Sequence, residues 1–296
     1  MLADLLRLHL QLLSYLNTNQ QKLEIMNILK FIESFTDENF MKSQGSRRDS
    51  FGQFGQLGKN LALASVPFGL ASLANKTYAA DIAPTPNTPV GALQLALTLE
   101  YLEDEFYRLG LESGVIPTGG RDEKVFMQIA KHEKSHVEFL KAGLGANAVS
   151  KPTFDFTVGG TFDPFNATGI GNTAAYQQFL VLAQAFEDTG VRAYKGQAAN
   201  LISTPDLLTA ALQIHSVEAR HASEVRRLRG LKGWIAGNVR GNGMPEATQA
   251  VYNGEEATNQ AGYNTSTLFG ADAGTEAYDE PLTTAQSVAI ANIFIV

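Results

Sequence analysis

Residues 207–228 read LLTAALQIHSVEARHASEVRRL, and residues 126–140 read FMQIAKHEKSHVEFL. Each stretch contains a glutamate followed three residues later by a histidine: Glu218 with His221, and Glu133 with His136. Apolar residues recur at steps of three and four, which predicts two amphipathic helices with both pairs on the apolar stripe. A carboxylate directed into a core is unfavourable unless a partner such as a metal ion compensates its charge. The pairs therefore indicate a buried metal site, and the alternative is a surface helix end or a buried ion pair.

Each Glu-x-x-His pair has a matching glutamate upstream. Glu100 lies 33 residues before the glutamate of the first pair, and Glu187 lies 31 residues before the glutamate of the second. Both upstream glutamates lie in helical patterns and carry a tyrosine seven residues later on the same face, Tyr107 and Tyr194. The chain thus uses one helix pair twice, and such a repeat is more specific than its component motifs.

This repeat resembles the ferritin-like superfamily of di-iron and di-manganese carboxylate proteins. There, two helices of a bundle each supply a glutamate and the other two each supply Glu-x-x-His. The stretch 99–107, LEYLEDEFY, is similar to the bacterial ferritin-like domain or desiccation-related proteins. The resemblance covers roughly residues 90–230. It implies an all-α fold, a ferritin-like four-helix bundle with a long crossover between its second and third helices and an irregular C-terminal extension.

The resemblance also implies a ligand set. It pairs Glu100 with His136 and Glu187 with His221 as terminal ligands, and makes Glu133 and Glu218 bridge the two metals. Such donors suit iron or manganese, whereas a structural zinc site prefers thiolates. We expect two iron ions, with manganese as the alternative, although zinc could occupy the site in a purified sample. Tyr107 and Tyr194 are the candidate catalytic residues, interpreted as core tyrosines bonded to ligand carboxylates rather than as radical carriers.

Several neighbouring residues have two interpretations. Glu103 is either an extra ligand or the true ligand in place of Glu100, and the matched tyrosine spacing favours Glu100. Asp104 could accept a hydrogen bond from a ligating histidine. His132 and His215 lie beside the stripe, either near the metals or, more often for such residues, on the helix surface.

Composition excludes several other classes of function. The chain has 296 residues, 44% of them hydrophobic, a formal charge of −7 and no cysteine. It therefore has no basic surface for nucleic acid, no disulfide, no iron–sulfur centre and no thiol nucleophile. Sustained redox turnover would need an external electron donor. We expect no transmembrane helix, and the chain could form a homo-oligomer.

The chain divides into four segments in this interpretation. Residues 1–80 form a leader in which Arg47-Arg48, the apolar stretch 61–74 and small residues near Ala79 are typical of a twin-arginine export signal. We expect a periplasmic protein, and the alternative is a cytoplasmic one with 61–74 packed on the bundle. A proline-rich linker at 81–89 precedes the bundle at 90–230 and a wrapping extension at 231–296. Glu255 and Glu256 in that extension either cap the metal site or, more often for such residues, are solvated loop carboxylates. The expected helices are 90–113, 121–142, 173–199 and 204–230, with the crossover at 143–173.

Three functions compete at this point. The first is a redox-active di-iron protein in which Fe(II) reacts with oxygen or peroxide. The second is iron binding or storage without turnover, where the long crossover and the extension disfavour a cage. The third is a non-enzymatic stress-protection protein whose metal holds the bundle together. Fold resemblance cannot choose among them, because one bundle hosts oxidases, hydroxylases, catalases and storage proteins.

Overall fold

The computed structural model describes residues 81–296, apart from the side chain of Leu268. The expected leader and export signal, residues 1–80, lie outside these residues. Each predicted helix boundary lies within two residues of the observed one, and the all-α expectation is confirmed. Within residues 81–296 no helix is both long and apolar enough to span a bilayer. The four long helices are α1 (Pro89–Ser113), α2 (Arg121–Leu144), α3 (Asn172–Leu201) and α4 (Pro205–Leu228).

The ends of α1 show why the chain starts and stops a helix there. The side chain of Thr88 accepts a hydrogen bond from the Gly91 N–H at 3.1 Å, and Pro89 occupies the first turn, where its missing N–H is not needed. The helix ends at Gly114, whose φ of 74° lies in the left-handed region that favours glycine. This local chemistry fixes the position of the glutamate in the middle of α1.

The second and third long helices run parallel. Near their first turns, the Tyr176 hydroxyl of α3 donates to Asp122 of α2 at 2.6 Å. Further along both helices, Glu133 and Glu187 approach the same atom, His221 Nδ1, at 2.8 and 3.3 Å. Parallel neighbours need a long connection, as the sequence predicts. In the bundle, α1 packs against α2 and α3, and α3 packs against α4.

Aromatic residues of the crossover complete the core. Phe106 of α1 stacks on Phe179 with ring centroids 4.7 Å apart and meets Phe186 edge-on at 4.9 Å. From the crossover, Phe156 and Phe165 approach the Phe106 ring at 5.1 and 5.6 Å. The crossover is therefore part of the packed interior at the α1–α3 interface.

The chain after α4 is irregular and packs back on the bundle. A 3₁₀ turn (Glu246–Val251) precedes a short antiparallel hairpin of β1 (Asn259–Gln260) and β2 (Tyr263–Asn264), in which Gln260 pairs with Tyr263. Helix α5 (Ser266–Glu276) is interrupted at Gly270, whose φ is 85°. Helix α6 (Thr284–Ala291) contacts α1 and α3. Beyond it, Ile295 forms an isolated antiparallel bridge with Phe154 of the crossover.

Candidate metal centre

All six residues implied as ligands converge in the middle of the bundle. Each of the four long helices contributes at least one, and the four glutamates have no exposed surface. The imidazoles are slightly more open, with His221 5% exposed and 12% of the His136 side chain exposed. Periodicity explains the convergence, because seam positions at steps of three and four face the interior of a bundle. The glutamates are Glu100, Glu133, Glu187 and Glu218.

The convergent residues form two groups that overlap. Within each group, one potential ligand atom from each residue lies within 4.8 Å of the others. Glu133 and Glu218 belong to both groups, so their carboxylates lie between two potential cation positions. The first group is Glu100, Glu133, His136 and Glu218, and the second is Glu133, Glu187, Glu218 and His221. This sharing is the arrangement that two bridging carboxylates require.

Both imidazoles turn Nδ1 toward the carboxylates. His136 Nδ1 lies 3.1 Å from Glu100, 3.0 Å from Glu133 and 3.2 Å from Glu218. His221 Nδ1 lies 2.8 Å from Glu133, 3.3 Å from Glu187 and 3.9 Å from Glu218. Each histidine therefore presents its Nδ1 beside three carboxylates, where it could act as a metal ligand.

Several buried atoms of the centre have no hydrogen-bond partner among residues 81–296. They include His221 Nδ1, although it is close to Glu133, because the approach is not aligned as a hydrogen bond. Buried polar atoms are usually satisfied, and unsatisfied ones indicate a missing partner such as an ion. The other unpartnered atoms here are Glu133 Oε1, Glu187 Oε2 and both carboxylate oxygens of Glu218. Orphaned oxygen and nitrogen atoms that share one interior space fit divalent cations with carboxylate and imidazole ligands.

Without a cation, protonation of the buried carboxyl groups reduces the negative charge of the centre. Burial raises the pKa of Glu133 well above its ordinary value, and Glu218 adds to the rise while His136 and His221 oppose it. Burial likewise raises the pKa of Glu187 to about 7, with His221 opposing and Glu218 adding. Burial lowers the pKa of His221, but Glu187 and Glu133 outweigh it and hold that pKa at about 11. The centre is thus too rich in acid groups to be fully ionised alone.

The two tyrosines support the centre crosswise. Tyr107 of α1 donates to Glu187 of α3, and Tyr194 of α3 donates to Glu100 of α1 at 2.5 Å. Burial, followed by the neighbouring glutamates, raises the pKa of both hydroxyls well above the ordinary value, so they stay protonated donors. The geometry matches the interpretation of these tyrosines as partners of the carboxylates, and their assignment as catalytic residues stays a prediction.

Glu103 lies beside the centre and outside both groups. Its side chain is buried, and burial together with Glu218 and Glu187 raises its pKa well above the ordinary value. A Cβ added at Gly190 of α3 would lie 3.2 Å from Glu218 Oε2 and 3.3 Å from Glu103 Oε1. The bare backbone of Gly190 therefore leaves room for both carboxylates. Glu100, rather than Glu103, is grouped with His136, whose Nδ1 lies 3.1 Å from the Glu100 carboxylate.

His132, His215 and Asp104 differ in whether they contact the centre. The sequence pattern favours a surface position for His132. In the structure this residue contacts the centre, since its Nδ1 lies 2.8 Å from His221 Nε2. His215 is half-buried and outside both groups. Among the described residues, Asp104 shows no hydrogen bond to a candidate ligand histidine. At His221, the outer hydrogen-bond partner is His132 instead.

Neither Glu255 nor Glu256 of the extension belongs to the two groups of the centre. Glu255 is buried and pairs with Arg192 at 2.6 Å, whereas Glu256 is exposed. The solvated-loop interpretation is therefore wrong for Glu255, because a buried arginine compensates its charge. No local pattern signals this pair, whose members are separated by 63 residues.

A cleft between α2 and α4 opens onto both candidate histidines. It contains two cavities of about 600 Å³ each. Both are lined by His132, Arg220 and His221, and one is also lined by His136, Phe139 and Ile214. Small molecules could reach the imidazole edge of the centre from this side.

Comparison with known protein families agrees with this geometry. A search of curated proteins found no match. A family model described as a ferritin-like domain matches residues 88–231, which include all four long helices and all six candidate ligands. Residues 88–231 are therefore a domain of the ferritin-like superfamily.

Proposed function

We propose that the centre binds two divalent metal ions, iron in the first place with manganese as the alternative, and that bound Fe(II) reacts with oxygen or peroxide. The carrying observation is the pair of overlapping buried groups that share Glu133 and Glu218. Two cations a few ångströms apart repel each other, and shared carboxylates reduce that repulsion. The ligand roles implied by the resemblance fit this overlap.

Each part of the centre has a separate role in this proposal. Glu133 and Glu218 would each hold both ions, whereas Glu100 with His136 would hold one ion and Glu187 with His221 the other. Bound iron would supply the Lewis acidity and the electrons that activate a small oxidant. The chain's own contributions are orientation, through the hydroxyls of the two buried tyrosines, and exclusion of bulk water, because the four glutamates have no exposed surface.

Metal analysis of single variants tests the ligand assignment. Wild-type protein loaded anaerobically with Fe(II) should retain two ions per chain, whereas Glu133→Ala and Glu218→Ala should lose most of both. Glu138→Ala is the matched control, because Glu138 is an exposed glutamate of α2 that pairs with Lys141. Full metal content in both bridging variants would overturn the assignment.

Oxygen exposure of the loaded protein tests the redox part. We expect a colour change and oxygen consumption in proportion to the bound Fe(II), and neither in Glu218→Ala. Uptake far above two ions per chain in a multi-subunit particle would instead indicate storage. Export to the periplasm and the likeness to desiccation-related proteins are proposals that need localisation and stress experiments of their own.

A structural metal is the second candidate, favoured by one observation. Burial, and after it the charge of Glu218, raises the pKa of Glu133 and of Glu187, so the buried carboxylates are unfavourable when all are ionised. A cation bound there would stabilise the bundle whether or not it turns over. A large fall in melting temperature on chelation, together with no oxygen consumption, would select this function.

A further inference from the structure

The two candidate ligand histidines differ at the nitrogen that faces away from the centre. His221 Nε2 lies 2.8 Å from His132 Nδ1. The structure of residues 81–296 shows no hydrogen bond at His136 Nε2, and the His136 ring lines one cavity of the cleft between α2 and α4. The Nε2 atom of His221 thus has a side-chain partner, whereas among residues 81–296 that of His136 has none.

Imidazole chemistry sets the direction of the hydrogen bond at His221. A neutral imidazole carries one N–H, and the nitrogen that binds a metal must be bare. If His221 binds through Nδ1, which faces the carboxylates, its proton lies on Nε2 and is donated to His132 Nδ1. The Nδ1 atom of His132 then accepts, so the proton of that ring lies on Nε2.

Gln128 completes the chain on the same helix. Its side-chain amide lies 2.6 Å from His132 Nε2, one turn earlier on α2. An amide can present either its oxygen or its NH₂ group to a neighbour, because the two are alike in size. With the Gln128 oxygen turned to His132, the His221 N–H donates to His132 and the His132 N–H donates to Gln128.

Stacking restrains the His132 ring as well. The His132 and His221 rings are nearly parallel, with centroids 5.1 Å apart and an interplanar angle of 14°. His132 also lies within the α2 helix, directly before Glu133. The acceptor atom is therefore fixed relative to the centre by both the ring contact and the helix backbone.

We propose that His132 is a positioning residue that holds His221 with Nδ1 toward the carboxylates and makes the Glu187–His221 metal position the tighter of two. The inference rests on the proposed two-metal function. Removing such an outer partner typically lowers metal affinity by about 10- to 100-fold. Among residues 81–296 His136 has no equivalent partner, so the Glu100–His136 position should be the weaker one and should not respond to changes at residue 132.

Two variants of His132 separate the hydrogen bond from packing. His132→Ala removes the acceptor, whereas His132→Asn keeps one, because the asparagine Oδ1 occupies nearly the place of histidine Nδ1. His215→Ala is the control for loss of an imidazole on the facing helix outside both groups. Each protein is titrated anaerobically with Co(II), and bound metal is measured by equilibrium dialysis. The exchangeable imidazole N–H resonances of the Co(II) protein report on His221 directly.

The expected result is two binding steps in wild type. His132→Ala should weaken the tight step by about 10- to 100-fold and leave the weak step within about threefold. The protected N–H resonance should disappear in His132→Ala and return in His132→Asn, together with most of the affinity. Unchanged affinity in His132→Ala overturns the inference alone, and so does an equal loss in both variants, which indicates packing only. Wild-type protein that binds no metal overturns the proposed function and this inference together.

Discussion

Adjacent residues of α3 enter two buried ionic clusters of opposite kind. Glu187 belongs to the metal centre, where four carboxylates meet two imidazoles. Asp188 accepts hydrogen bonds from Arg226 Nε at 3.0 Å and Nη2 at 2.5 Å, and from the Tyr252 hydroxyl at 2.8 Å. The carboxylate of Asp188 therefore obtains its positive partner from the chain itself.

A second buried arginine, this one in α3, also has its partners within the chain. Arg192 is buried, pairs with Glu255 at 2.6 Å and donates to the main-chain carbonyls of Glu280 at 2.7 Å and Asn253 at 3.0 Å. We call the Asp188–Arg226 and Arg192–Glu255 contacts the arginine pairs. The first joins α3 to α4, and the second attaches α3 to the chain after α4, both without any outside group. No arginine or lysine of residues 81–296 pairs with the four glutamates of the metal centre, and several oxygens of these glutamates have no hydrogen-bond partner.

The largest effect is expected at the arginine pairs. Arg226→Ala should lower the free energy of unfolding by about 3 to 5 kcal/mol, because it leaves Asp188 buried without a counter-charge. Chemical denaturation of chelator-treated protein measures this. Arg108→Ala, which removes an exposed pair with Glu112, should cost at most about 1 kcal/mol. Equal effects of the two variants would contradict the contrast between buried and exposed pairs.

Added metal should stabilise the protein through the metal centre and not through the arginine pairs. At a free metal concentration about 1,000 times the dissociation constant, wild-type protein should gain about 4 kcal/mol of stability. Arg226→Ala should keep this increment, because its site is independent of the centre, whereas Glu218→Ala should lose it. Thermal melts with and without Mn(II) show the difference. An increment retained in Glu218→Ala would place the bound metal elsewhere.

The arginine pairs should also give a pH dependence. Burial raises the pKa of Glu255 from 4.5 to about 7, against the attraction of Arg192. A raised carboxyl pKa contributes stability that is full below the unfolded value of 4.5 and is lost as pH rises through 7. Between pH 5 and 8, chelator-treated wild type should therefore lose about 2 to 3 kcal/mol relative to Glu255→Gln. A constant difference between the two proteins would show that Glu255 is ionised throughout.

The smallest effect is expected at the tyrosines. Tyr107→Phe and Tyr194→Phe each remove one hydrogen bond to a charged carboxylate, a loss of about 1.5 kcal/mol in the metal-loaded protein. Because the bonds are crosswise, the two variants should behave alike, and melting temperatures measure both. Tyr101→Phe is the comparison, since the Tyr101 hydroxyl reaches only a main-chain carbonyl at 3.4 Å.

Local pattern was enough to predict the bundle and the convergence of its six polar seam residues. The steps of three and four place Glu133, His136, Glu218 and His221 inward, because any seam position of a packed helix must face its neighbours. Helix ends were predictable from Pro89, Pro205 and the glycines that follow α1 and α2, since these act within one turn. Glu100 and Glu187 were predictable from the repeated spacing between a glutamate and the next Glu-x-x-His pair.

Contacts between distant elements could not be read from the sequence. His132 lies beside the seam, and its contact with His221 depends on how closely α2 and α4 approach each other. The Arg192–Glu255 pair joins a helix to a turn that has no periodicity. The break of α5 at Gly270 likewise depends on a backbone conformation that the surrounding sequence does not specify.

The glycine at position 190 has a consequence for redesign of this protein. Alanine is favoured over glycine in a helix by about 1 kcal/mol, so α3 forgoes stability at Gly190. A single added methyl would press on Glu218 Oε2 and Glu103 Oε1, at 3.2 and 3.3 Å, without removing any donor atom. In the proposed two-metal centre, Gly190→Ala would thus be a one-carbon means of altering the separation of the two cations, and with it their magnetic coupling.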